Sequence, residues 1–309
     1  MSGLLGVPSE SAWDLDQVVQ GLRRSRIARN GVESPQRERH KLPSRAALER
    51  VTTGLTSALF PSHFGPTDLT PERIDYFVGD VLGTAFRVLE SQVLCELDYA
   101  SPTTPGNPER ASALTRNFAE RLPAVHELLE TDVRAAFEGD PAARSLDEAL
   151  FCYPGVTAIL HHRLAHELYR LGLPLLARII SEIAHSATGI DIHPGADIGR
   201  SFFIDHGTGV VIGETAVVGD RVRLYQGVTL GAKSFPLDER GVALKGKERH
   251  PIVEEDVVIY AGATILGRIT IGRGSTIGGN VWLTRSVPPG SRVTQAQARS
   301  DVYSDGGGI

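Results

Sequence analysis

The sequence predicts an α+β protein in which an all-helical N-terminal domain is followed by a left-handed parallel β-helix. Two observations support this fold class. Between about residues 42 and 188, apolar residues recur every three or four positions, which is typical of packed helices. From residue 189 onward, aliphatic residues recur every six positions, which fits neither a helix nor an alternating strand. One long interruption of the second period predicts a loop extruded from the β-helix.

The composition is that of a globular protein without a general nucleic-acid surface. With 309 residues the chain can form two domains, and its net charge of −5 argues against nucleic-acid binding. The first residues lack a signal-peptide pattern, and no apolar run approaches the roughly 20 residues of a membrane span, so we expect a cytoplasmic protein. The two cysteines, Cys95 and Cys152, have no metal-type spacing.

Residues 1–41 form a charged leader. This segment contains "LRRSRIARN" at 22–30 and "QRERHK" at 36–41, with prolines among the charges. Because such a stretch offers little apolar surface to bury, we expect it to be flexible and solvated.

The helical domain is predicted over residues 42–188. Two of its segments begin with a polar residue before a proline, at Thr70–Pro71 and Asn107–Pro108, as an N-cap and first helical position do. A third segment is interrupted near Gly172 and Pro174. The pattern predicts five to eight packed helices.

The β-helix domain is predicted over residues 189–290. Its aliphatic residues are six apart in three runs: Ile192, Ile198, Ile204 and Val210; then Ile212, Val218, Leu224 and Leu230; then Val253, Ile259, Ile265, Ile271, Ile277 and Leu283. Glycine often follows the aliphatic residue, which relieves the tight corners. This is the hexapeptide signature of a parallel β-helix, in which each repeat forms one flat side and the aliphatic residues stack inside.

Two further segments interrupt or follow the repeats. Val253 follows Leu230 by 23 positions instead of six, so we predict a projecting loop over 231–251. Long ordered loops are commonly functional. Residues 291–309 end in "SDGGGI", and these glycines predict a flexible C-terminal tail.

An Asp–His pair stands among glycines and small aliphatic residues in "FIDHGTGVVIGET" at 203–215. Asp205 and His206 follow the inward Ile204, so at least one of them faces outward. Asp191 precedes His206 by 15 residues, which in a coil of about 18 residues places it one coil below and three residues around. With coils about 4.8 Å apart, this spacing permits, without requiring, a contact in which the carboxylate fixes the tautomer of a general base.

Five motifs make the chain resemble the serine O-acetyltransferases, in particular a long-form branch of that family of hexapeptide-repeat acyltransferases. They are "DPA" at 140–142, "GIDIHPGADIG" at 189–199, "DHGTGVVIGETAVVGD" at 205–220, "KERHP" at 247–251 and "YAGATILG" at 260–267. The resemblance covers the chain from about residue 132 onward. It implies transfer of acetyl from acetyl-CoA to L-serine, the first step of cysteine biosynthesis, without a metal.

The resemblance also implies roles for individual residues. His206 corresponds to the general base and Asp191 to its orienting partner. The positions that hold the serine amino and carboxylate groups are Asp140, Asp205, Arg249 and His250. Among them, Arg249 suits a bidentate grip on a carboxylate.

For the co-substrate and partners, the resemblance implies three further features. Acetyl-CoA lies along a coil edge and meets backbone groups around Gly231, Ala232, Ala261, Gly262 and Gly279, where small residues allow close approach. The chain forms a homotrimer or a dimer of trimers with active sites between subunits. Its C-terminal Ile309 docks into O-acetylserine sulfhydrylase (cysteine synthase), the next enzyme of the pathway.

Two other functions remain open from the sequence. One is an acetyltransferase of the same fold that acts on homoserine or a sugar, which the helical domain and "KERHP" argue against. The other is a β-helix metalloenzyme of the carbonic-anhydrase type, which needs three histidines on neighbouring coils. His193, His206 and His250 are the available histidines, and His250 belongs to the predicted loop.

Overall fold

A computed structural model describes residues 15–30, 42–101, 104–234, 241 and 246–295. Most of the predicted loop, the tail beyond residue 295 and therefore Ile309 lie outside the described residues. Within the predicted leader, helix α1 (Leu15–Asn30) forms part of a unit separate from the rest of the chain. The charge pattern did not predict this helix, which the good helix formers arginine, leucine and glutamine favour.

Eight further α-helices lie in the described part of residues 45–188, which confirms the helical prediction. They are α2 (Arg45–Leu59), α3 (Pro61–Phe64), α4 (Ile74–Ala100), α5 (Asn107–Ala119), α6 (Leu122–Gly139), α7 (Leu146–Cys152), α8 (Pro154–Arg170) and α9 (Pro174–Thr188). Five of them have proline in the first turn, where its missing N–H is not needed. No helix in these described ranges is long and apolar enough to cross a lipid bilayer.

The chain then winds into a parallel β-helix with three faces, as predicted. Face one contains β1 (Asp191–Ile192), β4 (Val211–Ile212), β7 (Thr229–Gly231), β10 (Thr264–Leu266) and β13 (Trp282–Leu283). Face two contains β2 (Asp197–Ile198), β5 (Val217–Val218), β8 (Ile252–Val253) and β11 (Thr270–Ile271). Face three contains β3 (Phe203–Asp205), β6 (Arg223–Tyr225), β9 (Val258–Ile259), β12 (Thr276–Ile277) and β14 (Arg292–Val293).

The inward aliphatic residues stack on their counterparts one coil away. In face one, Leu230 pairs with Ile212 below and Ile265 above, and all three side chains are buried. After the long loop, Val253 pairs with Val218 in face two. The loop therefore leaves the coil and returns to it without disturbing the register.

The first coil is longer than the sequence predicted. Asp191 pairs with Val211, 20 positions later, whereas Val211 pairs with Thr229, 18 positions later. The two extra residues lie between β3 and β4, in the turn that contains His206. Ile212, rather than Val210, therefore takes the inward strand position after Ile204. Asp191 consequently pairs with a residue five positions past His206, instead of the three expected from an 18-residue coil.

A buried ion pair fixes the helices to the β-helix near β3. The side chains of Asp132 on α6 and Arg163 on α8 are 0% and 5% exposed and are joined at 3.1 Å. Asp132 also accepts a hydrogen bond from the Phe202 N–H, and Arg163 donates to the carbonyls of Ile198 and Gly199. Burial raises the pKa of Asp132 in spite of the neighbouring Arg163, so the pair is costly to bury, and removing either partner would leave an unpaired buried charge. The end of α6 and the start of α8 are thereby held beside β3.

Two glycines allow these helix ends to approach β3 closely. A Cβ atom on Gly155 of α8 would lie 2.2 Å from the carbonyl oxygen of Ile204, and one on Gly139 of α6 would lie 2.8 Å from a ring on β3. Any larger residue would force the helices away. The close approach brings Asp140, which follows α6, and Tyr153, which precedes α8, to the turn after β3.

Candidate active site

Most of the predicted site residues lie along two edges of the β-helix, and both edges border face one. The first, the His206 edge, consists of residues 205–209, 226–227, 260–262 and 279–280. Its turns stack through backbone hydrogen bonds, such as Gly227 N to Thr208 O at 3.0 Å and Gly262 N to Gln226 O at 2.9 Å. The second, the Arg249 edge, consists of residues 213–215, 231–233, 249–250 and 267–268. The strands of face one separate the two edges.

His206 lies in the enlarged turn of the first edge. Its φ is +58°, in the left-handed region that residues other than glycine rarely adopt. Its side chain is 71% exposed, and its Nδ1 atom is 3.7 Å from Oδ1 of the buried Asp205. Unusual backbone conformations of this kind cluster at functional sites. An exposed imidazole with a carboxylate beside one nitrogen can accept a proton at the other.

Two carboxylates make the His206 edge acidic. Asp205 accepts a hydrogen bond from Arg223 at 3.1 Å, and Asp140 accepts one from the Tyr153 hydroxyl at 2.5 Å. The bond from Tyr153, and then a backbone N–H in the following turn, lower the pKa of Asp140. The same bond is the main reason that the pKa of Tyr153 rises to about 12. Two carboxyl groups beside an exposed histidine suit an ammonium group.

Asp191 does not contact His206 within the described chain. It lies on β1, and its carboxylate is within 4.8 Å of ligand atoms of Glu182 and His185 on α9. No hydrogen bond joins Asp191 to His206 among the described residues, and the ion-pair partner of His206 there is Asp205. The role of Asp191 as the orienting carboxylate stays a prediction.

Arg249 lies on the other edge and is firmly held. Its Nη2 donates to Glu214 at 2.6 Å, and its Nη1 donates to the Lys247 carbonyl at 3.1 Å. The hydroxyl of Tyr169 donates to the second oxygen of Glu214 at 3.1 Å. Partial burial raises the pKa of Glu214, but the hydrogen bonds from Arg249 and Tyr169 outweigh it and hold this pKa below its ordinary value.

His250, next to Arg249, is a buried neutral group. Its Nδ1 accepts a hydrogen bond from the Thr215 N–H at 3.0 Å, so its ring proton is on Nε2. Burial, and after it the charge of Arg249, lower the pKa of His250 to about 4. The ring packs over Gly213, where a Cβ atom would lie 2.1 Å from Nε2.

One hydroxyl group organises both residues of this pair. Thr215 Oγ1 accepts the backbone N–H groups of Arg249 at 2.9 Å and His250 at 3.2 Å, and it lies 2.9 Å from the His250 Nδ1 atom. The end of the long loop is thereby fixed to the coil. Thr215 is therefore a positioning residue for the Arg249 edge.

The residues predicted to meet acetyl-CoA are divided between the same two edges. Gly231 and Ala232 lie at the Arg249 edge, and Ala261, Gly262 and Gly279 lie at the His206 edge. At Gly262, φ is +70°, and a Cβ atom would lie 2.3 Å from the Asn280 side chain. A glycine is required there, because of both the backbone conformation and the close Asn280 side chain.

Four residues at the edges were not singled out from the sequence: Tyr153, Glu214, Thr215 and Arg223. Glu214 and Thr215 follow a glycine at a coil corner, as polar residues within the motif that contains Asp205 and His206, and that position was a usable signal. Tyr153 and Arg223 carried no such signal, because only the packing of α8 and β6 brings them to the site.

The histidines considered for a metal site are not brought together. His193 and His250 interact electrostatically with each other at the Arg249 edge. His206 lies on the other side of face one. Within one chain this arrangement does not form a three-histidine metal site.

Comparison with known proteins agrees with this fold. Residues 250–285 match the family described as bacterial transferase hexapeptide (six repeats), which gives the class of the protein. The serine acetyltransferase of Synechococcus elongatus designated "plasmid" is 58% identical over 306 residues, covering 96% of each chain. The chain belongs to the serine acetyltransferase family.

Solved structures of this family share the fold. Serine acetyltransferase isoform 3 of Entamoeba histolytica, determined in complex with cysteine, is 36% identical with a TM-score of 0.71, covering 94% of this chain and 95% of that chain. A serine acetyltransferase in complex with CoA is 26% identical with a TM-score of 0.51, covering 80% of this chain and 95% of that chain.

Proposed function

We propose that the protein transfers the acetyl group of acetyl-CoA to the hydroxyl of L-serine, giving O-acetylserine and CoA, the first step of cysteine biosynthesis. The observation that carries this proposal is the exposed His206 beside the buried Asp205, in the turn with the family's motif. The 58% identical serine acetyltransferase supports the acceptor, and the relative in complex with CoA supports the donor.

The proposed chemistry needs a base more than any other group. A serine hydroxyl is a poor nucleophile until its proton is removed, whereas the thioester is already reactive. His206 takes the hydroxyl proton as the oxygen attacks the acetyl carbon. The C–S bond then breaks, and the imidazolium returns the proton to the departing thiolate. Neither a covalent enzyme intermediate nor a resident cofactor takes part in this scheme.

The serine molecule would be held by its two charged groups. Asp140 and Asp205 suit its ammonium group, while Arg249 and His250 suit its carboxylate. Within one chain these pairs lie on opposite borders of face one, although the two groups of serine share one carbon atom. A second chain that brings its Arg249 edge to the His206 edge would complete the site. We therefore propose a homotrimer, or a dimer of trimers, with acetyl-CoA lying between the two edges.

Two carboxylates are candidates for orienting His206. Asp191 is the residue that the family resemblance implies, whereas Asp205 is the carboxylate beside the ring. Asp191→Asn, Asp205→Asn and the control Asp197→Asn, on the exposed surface of face two, separate the two roles. The orienting partner is the residue whose amide variant lowers kcat at saturating serine by the larger factor, whether or not the serine KM also rises.

Ile309 is proposed to bind O-acetylserine sulfhydrylase. Burying one isoleucine contributes about 1.5–3 kcal/mol, and charge-assisted hydrogen bonds to the terminal carboxylate add to it. Deletion of Ile309 should weaken binding to the sulfhydrylase by about two decades or more and leave acetyl transfer unchanged. Equal binding of both chains, or no binding by either, would contradict this role.

The proposed function is tested by one acetyl-transfer assay with three acceptors. L-Serine, L-homoserine and a hexose are each incubated with acetyl-CoA and the full chain, and both CoA thiol and acetylated product are measured. We expect efficient transfer to serine alone. Transfer to homoserine or the hexose at a comparable kcat/KM would overturn the substrate assignment. Activity that follows bound metal content would overturn the scheme without a metal.

A further inference from the structure

We propose that Arg223 is a positioning residue for the His206 edge, which orients the Asp205 carboxylate and limits the negative charge around His206. This inference rests on the proposed role of His206 as the general base. Arg223 begins β6, one coil above Phe203 of β3, and it does not belong to the residues implied by the family resemblance.

The first support is that Arg223 and His206 face different oxygens of the Asp205 carboxylate. Nη2 of Arg223 donates to Oδ2 of Asp205 at 3.1 Å. The other oxygen, Oδ1, is the one that lies 3.7 Å from His206 Nδ1. Arg223 therefore fixes the rotation of the carboxylate that faces the imidazole, without touching the imidazole itself.

The second support is how tightly the guanidinium group is held. Its Cζ atom lies 5.0 Å from the ring centroid of Phe203 and 4.9 Å from that of Tyr225. A Cβ atom on Gly139 of α6 would lie 3.6 Å from its Nη1. Its buried Nε has no hydrogen-bond partner among the residues that the structure describes. The group is thus directed at Asp205, although this position leaves one of its donors without a partner.

The third support is the charge balance around His206. The charged groups around His206 are Asp205, which precedes it in the chain, Asp140 from the end of α6 and Arg223 from β6. The Tyr153 hydroxyl, from the start of α8, has a pKa of about 12 and stays neutral. With Arg223 the balance is one negative charge, which matches one substrate ammonium group. Without Arg223 two negative charges would favour the protonated imidazole, which cannot act as a base.

The test separates the charge of Arg223 from the geometry of its guanidinium group, and it uses an arginine elsewhere on the β-helix as the control. Arg223→Met keeps an unbranched side chain between the rings and removes the charge. We expect the acidic limb of its kcat/KM profile for serine to move to higher pH by about 1 unit, and kcat/KM at pH 7 to fall by up to about tenfold, the most that such a displacement can produce. Arg223→Lys keeps the charge and should leave the limb in place, with a smaller loss of kcat. The control Arg221→Met, which removes an exposed ion pair with Asp256 at 2.6 Å, should have the wild-type profile.

The outcomes are distinguishable when the unfolding temperature of each variant is measured alongside. A wild-type profile for Arg223→Met, or an equal shift in Arg223→Lys, would overturn the proposal. A loss that is uniform across pH would also overturn it, because that result indicates packing alone. If Arg223→Met does not fold, the pH profile of Arg223→Lys still tests the proposal, because a shifted acidic limb in that variant would overturn it. Full activity of His206→Ala, in contrast, would overturn the underlying assignment of the base.

Discussion

The two edges of the β-helix hold the same residue type in opposite ways. His206 is 71% exposed, lies in a turn with two extra residues and has a left-handed backbone. His250 is buried, is bonded to Thr215 through Nδ1 and has a pKa of about 4. The first can exchange a proton with a substrate, and the second is kept neutral as a hydrogen-bond donor. Burial and hydrogen bonding, rather than residue type, separate the two roles.

The edges also differ in charge. Asp140 and Asp205 make the His206 edge acidic. At the other edge Arg249 supplies a positive charge and is held in place by Glu214. An amino acid carries one positive and one negative group, so each edge suits one end of it. The difference indicates that neither edge is a complete amino-acid site by itself.

The largest expected effect is the loss of the base at the exposed edge. His206→Ala should lower turnover by about 10²–10⁴, which corresponds to about 2.7–5.5 kcal/mol of barrier. His126→Ala, which removes a half-buried histidine on α6, is the control and should keep wild-type turnover. Steady-state kinetics with unfolding temperatures checks both variants. A loss below tenfold in folded His206→Ala would rule out the general base.

The second expected effect tests whether the edges of different chains meet. Chains with His206→Ala and chains with Arg249→Ala are co-expressed, and each alone should be nearly inactive. In random trimers, about a quarter of the sites combine an intact His206 edge with an intact Arg249 edge from the neighbour. We therefore expect recovery of about a quarter of wild-type turnover. Mixed oligomers as inactive as their parents would show that each site lies within one chain.

The sequence predicted the fold because its two periods are set by simple packing. Six-residue spacing of aliphatic residues marks the stacked interior of the coil, and it returned in register after the loop, at Val253. The predicted length of the coil that contains His206 was too short by two residues. The shift of frame between Val210 and Ile212 is visible in the sequence, but the six-residue period alone does not show that the two extra residues lie in the His206 turn.

The candidate site was predictable only where a local motif marked it. Asp205, His206, Arg249 and His250 stand in short polar motifs, so they could be singled out. Their partners come from distant parts of the chain: Tyr153 precedes a helix, and Arg223 lies 18 residues after Asp205. Such contacts depend on how the helices dock on β3, which no periodicity in the sequence encodes.

A smaller effect is expected from changing the cation at the Arg249 edge. Arg249→Lys keeps the charge but loses the planar fork, so the serine KM should rise about tenfold, while the acetyl-CoA KM changes less than about twofold. Arg221→Lys, on an exposed ion pair, is the matched control. Both Michaelis constants are measured for each variant. Equal changes in the two constants for Arg249→Lys would contradict a role in binding the serine carboxylate.

The smallest expected effect is on stability, and it contrasts the two histidines directly. The pKa of His250 is about 4 in the folded chain, below its ordinary value of 6.5, so an unfolded chain binds the proton first as the pH falls. The resulting stability is complete above about pH 6.5 and is lost as the pH falls towards 4, by about 1–3 kcal/mol.

Thermal unfolding between pH 4 and 7 measures this dependence in three proteins. The wild type should lose stability towards acid, and His250→Asn should lose less, because its amide does not titrate. His206→Asn, which removes an exposed ring, is the control. The slope is compared instead of the absolute stability, because removing a buried ring destabilises the chain at every pH. Identical slopes in all three proteins would contradict the buried neutral state of His250.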